Sequence, residues 1–258
     1  MSLVVNQLTA SYGKLLAVNN ISLTVRTGEI AVIVGPNGCG KSTLFRNIAR
    51  LHKPDAGNVM VNQQDIWQLT ASQAAKQIAL LPQVPQAPDD ITVRGLVQFG
   101  RHPHQGLFRQ WSSQDEQVIS QVLDVTGVAS LADRKLSQLS GGQRQRCWLA
   151  MVLAQETPLI LLDEPTSMLD PGHQLEVLQL VRQLAYKGKT FVLILHDLVA
   201  AAKYADYLIA MRNGNIIASG KPENTITTQL VKQLYDIEAD ILQSPEDGKP
   251  IVVAKSVA

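Results

Sequence analysis

The chain has 258 residues, 45% of them hydrophobic, enough to bury a substantial core in one or two domains. Its 23 basic and 22 acidic residues give a formal net charge of +1, which leaves no electrostatic footprint for nucleic acid or for an anionic membrane surface. Cys39 and Cys147 lie far apart with no metal-ligand spacing and read as reduced thiols of a cytosolic compartment. The opening MSLVVNQLTASY lacks a basic stretch followed by an apolar one, so no signal peptide is expected, and no apolar run approaches the ~20 residues that span a bilayer.

In chain order, residues 3–11 and 21–25 alternate apolar and polar side chains, which predicts half-buried strands. Residues 29–34 form a continuous apolar run suited to a strand covered on both faces. A glycine-rich loop follows, and a helix is expected from Lys41 through Leu44, Ile48 and Leu51. Residues 54–57 read as a turn and 58–62 as a short strand. From about Thr92 to Gln155 the period is helical, carried by Val93, Leu96 and Val97, then Val118, Ile119, Val122 and Leu123, then residues 148–153. Ser113 with Glu116 resembles a capping box for the second of these helices. Buried-strand patterns return at 159–162 and 191–195, with a helix between them that begins after Pro171. Asn213-Gly214 between residues 207–212 and 215–219 predicts a hairpin. The pattern is an α/β core, about 1–84 and 157–258, interrupted by a helical insertion over about 85–156.

Gly35, Pro36, Asn37, Gly38, Cys39, Gly40, Lys41, Ser42 and Thr43 follow a buried strand and open a helix, the context that separates a phosphate loop from a chance Gly-rich turn. Glycines let backbone N–H groups wrap an anion, and the helix N-terminus adds its positive dipole end. Lys41 is expected at the β- and γ-phosphates, the Ser42 hydroxyl on Mg²⁺ and Thr43 at the α-phosphate. Cys39, near a lysine and a helix start, is expected to have a lowered pKa and to be shielded from alkylation by nucleotide, though a small loop-filling residue is the plainer role. Asp163 and Glu164 end an apolar run ahead of Pro165; Asp163 suits the magnesium sphere and Glu164 the activation of water. A parallel neighbouring strand would carry His196 to the same sheet edge, where a ring N–H could meet the γ-phosphate.

The order of these motifs, with Gln83 after Leu80-Leu81-Pro82, Leu139-Ser140-Gly141-Gly142-Gln143, and Ser167-Met168-Leu169-Asp170, resembles an ATP-binding cassette of a transporter over essentially the whole chain. The resemblance implies a P-loop NTPase (RecA-like) core with an N-terminal antiparallel β subdomain and an inserted helical subdomain. It implies ATP with Mg²⁺, and a head-to-tail dimer in which each phosphate loop faces Ser140, Gly141, Gly142 and Gln143 of the other copy. A second anion site at a helix start on the same chain agrees with a nucleotide sandwiched by two chains related by a two-fold axis. By the same resemblance Tyr12 stacks on adenine, Gln83 contacts magnesium and the attacking water, and Asp170 communicates across the interface. Met168 stands where many members carry alanine.

Residues 99–104, 105–111 and 143–151, with Pro245 and residues 248–253, are similar to ATPases of ferric-siderophore importers, a group that includes haem and cobalamin importers. That implies two membrane permease subunits, an external binding protein, no nucleic acid, and a peripheral location at the cytoplasmic face of the cell membrane. His102 and His104, without Cys or carboxylate nearby, read as scaffold or interface and not as metal ligands. A soluble cassette acting on ribosomes or DNA would usually bring a second cassette or a coiled-coil insertion, and neither is present. A P-loop GTPase would need an Asn-Lys-x-Asp motif, which does not occur.

Overall fold

The computed structural model describes residues 2–88, 90–105 and 111–257. Residues 106–110, within one of the segments that carry the importer resemblance, lie outside the described residues.

The alternating segments form β1 (Leu3–Tyr12) and β2 (Leu15–Val25), an antiparallel pair with Tyr12 opposite Leu15 at the tight connection. The apolar β3 (Ile30–Val34) runs into the glycine-rich loop, which opens α1 (Lys41–Ile48). Then come β4 (Ala56–Val61), β5 (Gln64–Asp65), α2 (Ala71–Ala75) and β6 (Ile78–Leu81). The helical stretch holds α3 (Val93–Phe99), α4 (Ser113–Val125) and α5 (Gly141–Ala154). Strand and helix alternate again in β7 (Leu159–Asp163), α6 (Pro171–Tyr186), β8 (Thr190–Ile194) and α7 (Leu198–Tyr204). β9 (Tyr207–Arg212) and β10 (Asn215–Gly220) form the expected hairpin. The chain continues through α8 (Pro222–Thr225), α9 (Thr228–Tyr235), β11 (Ile237–Gln243) and β12 (Pro250–Val257).

One sheet is antiparallel, in the order β2-β1-β4-β5; the central sheet runs β10-β9-β3-β8-β7-β6; β11 and β12 pair separately. In the central sheet β9, β3, β8, β7 and β6 are parallel and only β10 is reversed. The continuous apolar runs are explained by burial on two faces. Ile30, Val32 and Val34 of β3 face one core together with Phe191, Leu193, Ile160 and Leu162 and the helices α3, α4 and α5. Ala31 and Ile33 face the other, with Val192, Ile194, Leu159, Leu161, the N-terminal sheet and Phe45 of α1. Register aligns Ile33 with Ile194, Ile194 with Asp163, and Leu162 with Leu81. The segments after β3, β6, β7 and β8 therefore emerge at one edge, where open parallel sheets bind ligands.

Arg101, 2% exposed, ties the helical stretch together. Its Nε donates to Asp115 Oδ1 at 2.9 Å, and its Nη1 to the Ala154 carbonyl and to Glu156 Oε2, each at 2.7 Å. These bonds join the end of α3, the start of α4 and the end of α5. Hydrogen bonds from Ser112, with help from Arg101, hold the Asp115 carboxyl down at about 2 against its burial. Arg101→Met is expected to destabilise the fold by about 3–5 kcal/mol, because it strands the buried Asp115 charge. A denaturant titration checks this, and a loss under about 1 kcal/mol would show the pair to be dispensable. The depressed Asp115 pKa stabilises the fold above the ordinary carboxylate range, and that contribution disappears as pH falls towards about 2.

Three local expectations are corrected. The capping box of α4 lies one residue earlier: Ser112 is the N-cap and Asp115 its partner, while Glu116 pairs with Arg94. The short Asp115 side chain reaches back to the Ser112 N–H at 3.1 Å, which sets the phase. Helix α1 stops at Ile48, because Arg50 turns left-handed (φ 61°) and Leu51 bonds back to the Arg46 carbonyl, leaving Leu51 exposed. Ala56 and Gly57, expected in a turn, already belong to β4. Among the described residues no helix is long and apolar enough to cross a membrane.

Candidate nucleotide site

The loop after β3 has no room for side chains where it doubles back. A Cβ on Gly35, at φ 149°, would lie 2.1 Å from the Met211 carbonyl oxygen. Gly40, at φ 103°, is the N-cap of α1. The β9–β10 turn braces the loop from outside: the Gly214 N–H donates to the Cys39 carbonyl at 3.0 Å, and the Gly214 carbonyl accepts from Asn19 at 2.8 Å. The hairpin signal at Asn213-Gly214 thus also shapes the loop, a contact no local pattern announces.

Lys41 is 5% exposed and donates to the carbonyls of Gly35 and Pro36, both at 2.8 Å. Among the described residues no carboxylate comes within 4.0 Å of its ammonium. A buried cation at a helix N-terminus without a counter-charge suits an anion such as a phosphate chain. The cleft above it, about 300 Å³, is lined by Tyr12, Leu15, Ala17, Asn37, Gly38, Gly40, Lys41, Ser42, Thr43 and Glu164.

Asp163 ends β7, and the Glu164 N–H donates across to the Ile194 carbonyl at 3.2 Å. Glu164 has φ 51°, a left-handed conformation costly for a side-chain-bearing residue. Ser167 holds it there, its N–H at 3.1 Å and its hydroxyl at 3.0 Å from the Glu164 carbonyl. The Glu164 carboxylate takes Gln83 Nε2 on one oxygen at 2.5 Å and His196 Nε2 on the other. Three segments far apart in the chain thus meet on one carboxylate.

Asp163 Oδ1 is buried with no hydrogen-bond partner. Burial first, and the neighbouring Glu164 charge second, push its pKa up, while Arg46 and Lys41 oppose the rise. A divalent cation beside Ser42 would partner that oxygen and relieve the repulsion, so the donor set fits magnesium. No group of three or more His, Cys, Asp or Glu side chains able to hold a metal occurs among the described residues.

Residues 18–167 match the ABC transporter family. The chain belongs to that family. This cassette is 45% identical over 248 residues to the ferric enterobactin transport ATP-binding protein FepC of Escherichia coli (strain K12), covering 96% of the chain and 92% of the relative. It superposes with a TM-score of 0.86 and 30% identity on a chain of an inward-facing ABC transporter of metal-chelate type, over 98% of this chain and 97% of that one. A dimeric bacterial ABC transporter cassette matches with a TM-score of 0.75 and 28% identity, over 85% and 98%. The cassette binds ATP and is the ATPase subunit of a transporter.

Ser140 is the N-cap of the cassette's α5 in a full capping box: the Gln143 N–H donates to Ser140 Oγ at 3.3 Å, and Gln143 Oε1 accepts from the Ser140 N–H at 3.1 Å. None of Ser140, Gly141, Gly142 and Gln143 lines the phosphate cleft of its own chain. Asp170 caps α6 through the His173 N–H at 3.0 Å and also takes His173 Nδ1 at 2.5 Å. The His173 ring packs on buried Gly142, where a Cβ would lie 2.1 Å from ring carbon Cδ2. Sequence reading did not single out His173; its one local signal is its place three residues after the cap.

Cys39 departs from expectation. Its side chain is 3% exposed and sits in the core with Leu44 and Phe45. Burial raises its pKa and outweighs Lys41, whose ammonium is 3.9 Å from the sulfur. The thiol is shielded by the protein itself, so nucleotide-dependent protection from alkylation loses its basis. His196 and Gln83, expected at the γ-phosphate and the magnesium, here both bond Glu164. Leu15 and Ala17 complete the cleft and carried no motif; outside its lining, Arg46 Nη1 reaches Tyr12 Oη at 3.4 Å.

Proposed function

We propose that this cassette is the ATP-hydrolysing, energy-coupling subunit of an importer of iron(III)-siderophore complexes. Its near end-to-end likeness to FepC, a ferric enterobactin transport protein, carries the cargo class. It works at the cytoplasmic face of the cell membrane, on two permease subunits supplied by an external binding protein. Residues 85–156 act as the helical subdomain that meets the permease. In support, Pro82, Pro85, Leu96, Phe99, Trp148 and Met151 line an apolar groove there.

Two copies pair head to tail. The separation of Ser140–Gln143 from the phosphate cleft of the same chain supports this, since one nucleotide uses both anion sites only between two chains. Gly35, Pro36, Asn37, Gly38, Cys39 and Gly40 wrap the phosphates with their backbone, Lys41 neutralises them, and Thr43 meets the α-phosphate. Tyr12 stacks on adenine. Ser42, Asp163 and Gln83 would hold Mg²⁺, which would supply neutralisation of the phosphate charge. Glu164 orients and deprotonates the attacking water, His196 holds Glu164 and the γ-phosphate in line, and Asp170 relays the state of one site to the other.

Uptake in cells lacking the chain tests the cargo. Radioiron-loaded siderophores, haem and labelled cobalamin are offered in parallel. Loss of a ferric-siderophore class, restored by wild type and not by Glu164→Gln, is the expected result. Loss of haem or cobalamin uptake instead would reassign the cargo.

A further inference from the structure

Tyr12 presents one side to the nucleotide cleft, and its ring is also packed against His52, which is not part of the cleft lining. The two ring centroids are 4.5 Å apart with the planes inclined by 31°, a tilted ring-on-ring contact. His52 is itself fixed at three points. Its Nε2 lies 3.2 Å from the Ser11 carbonyl, and because a carbonyl only accepts, that nitrogen carries the proton. Its own carbonyl accepts from Asn47 Nδ2 at 2.6 Å, and Asn47 is fully buried. Its N–H donates to the Arg46 carbonyl at 3.1 Å. The left-handed turn at Arg50 that ends α1 brings the ring there. Arg46 closes the arrangement from the phenol end, 3.4 Å from Tyr12 Oη.

We infer that His52 is a positioning residue for the nucleobase: it holds the Tyr12 ring, 41% exposed, in the orientation that receives adenine. The inference rests on the reading of Tyr12 as the adenine platform. An exposed tyrosine at a strand end would otherwise lose side-chain freedom on stacking with the base; a ring already held by His52 has lost it beforehand. The effect is confined to the base end of the ligand, because the contacts that fix His52 run to Tyr12, Ser11, Arg46 and Asn47, none of them in the phosphate loop. It is sized by one aromatic stack, about two- to tenfold in affinity.

The test measures binding of ATP and of inorganic tripolyphosphate, which has no base, to the full chain and its variants. His52→Leu keeps side-chain bulk without a ring, His52→Gln keeps a donor for the Ser11 carbonyl without a ring, and His52→Phe restores the ring. The expected result is ATP binding weakened about two- to tenfold in His52→Leu and His52→Gln, tripolyphosphate binding unchanged, and ATP binding recovered in His52→Phe. Wild-type ATP affinity in His52→Gln would overturn the inference, as would equal weakening of both ligands, which places the effect in the phosphate loop. Tyr12→Ala separates the two readings. Weaker ATP binding in Tyr12→Ala with neutral His52 variants keeps the platform and removes His52 from it. An unchanged ATP affinity in Tyr12→Ala removes the platform itself.

Discussion

Replacing Glu164 with glutamine is expected to slow ATP turnover by roughly 10²- to 10⁴-fold, the usual contribution of a general base, with ATP binding intact. The side chain is 13% exposed and is positioned from both sides, by Gln83 on one oxygen and His196 on the other. Glutamine preserves the size of the group and can still bond Gln83, but its amide cannot take a proton from water. The left-handed backbone at Glu164, held by Ser167, aims the carboxylate and remains in the variant. The blocked variant should accumulate with nucleotide between two copies, so phosphate release and ATP-dependent dimer formation by gel filtration are read together. Normal turnover in Glu164→Gln would remove Glu164 from the chemistry and direct attention to the neighbouring His196.

Lys41→Ala acts one step earlier, on binding. The ammonium is buried, bonds the Gly35 and Pro36 carbonyls and the Cys39 sulfur, and has no carboxylate partner among the described residues, so its charge is available to an incoming anion. Removing one member of a buried charge pair costs about 3–5 kcal/mol, so ATP affinity should fall by roughly two to four orders of magnitude. Lys41→Met, which keeps most of the side-chain volume, should lose nearly as much, whereas a packing role would be largely rescued by it. Equilibrium ATP titration with a melting-temperature control separates the two. The control is needed because Lys41 also ties the loop to itself. Affinity within about threefold of wild type in both variants would show that the phosphate charge is met elsewhere.

The two variants probe features that were open to sequence reading for different reasons. Lys41 belongs to a contiguous loop whose geometry is local: a buried strand, glycines, then a helix start. Glu164 and His196 were placed together because each follows a run such as 159–162 or 191–195. Such runs are apolar on both faces only in a covered parallel sheet, whose strand ends share an edge. The start of α5 at Ser140 and the hairpin at Asn213-Gly214 were legible for the same local reason, through capping and turn chemistry. The C-terminal elements α9, β11 and β12 were not read as elements. They are short and half-exposed, so their patterns are faint until α9 packs on β9 and β12 on α7.

The sequence by itself determined which chemistry is present and in what order: a phosphate loop, a signature at a helix start, two carboxylates at a strand end and a histidine just past the end of the next strand. These are rules of neighbouring residues and of periodicity. Tertiary structure alone decided what each group experiences. Cys39 sits beside a lysine and a helix start, yet burial raises its pKa instead of lowering it. Asp163 Oδ1 is left without a partner while its neighbour Glu164 has two. Gln83 reaches Glu164 across 81 residues, and His52 backs Tyr12 from beyond the end of α1. Desolvation and contact depend on chain segments brought together from a distance, and no window of sequence contains both partners.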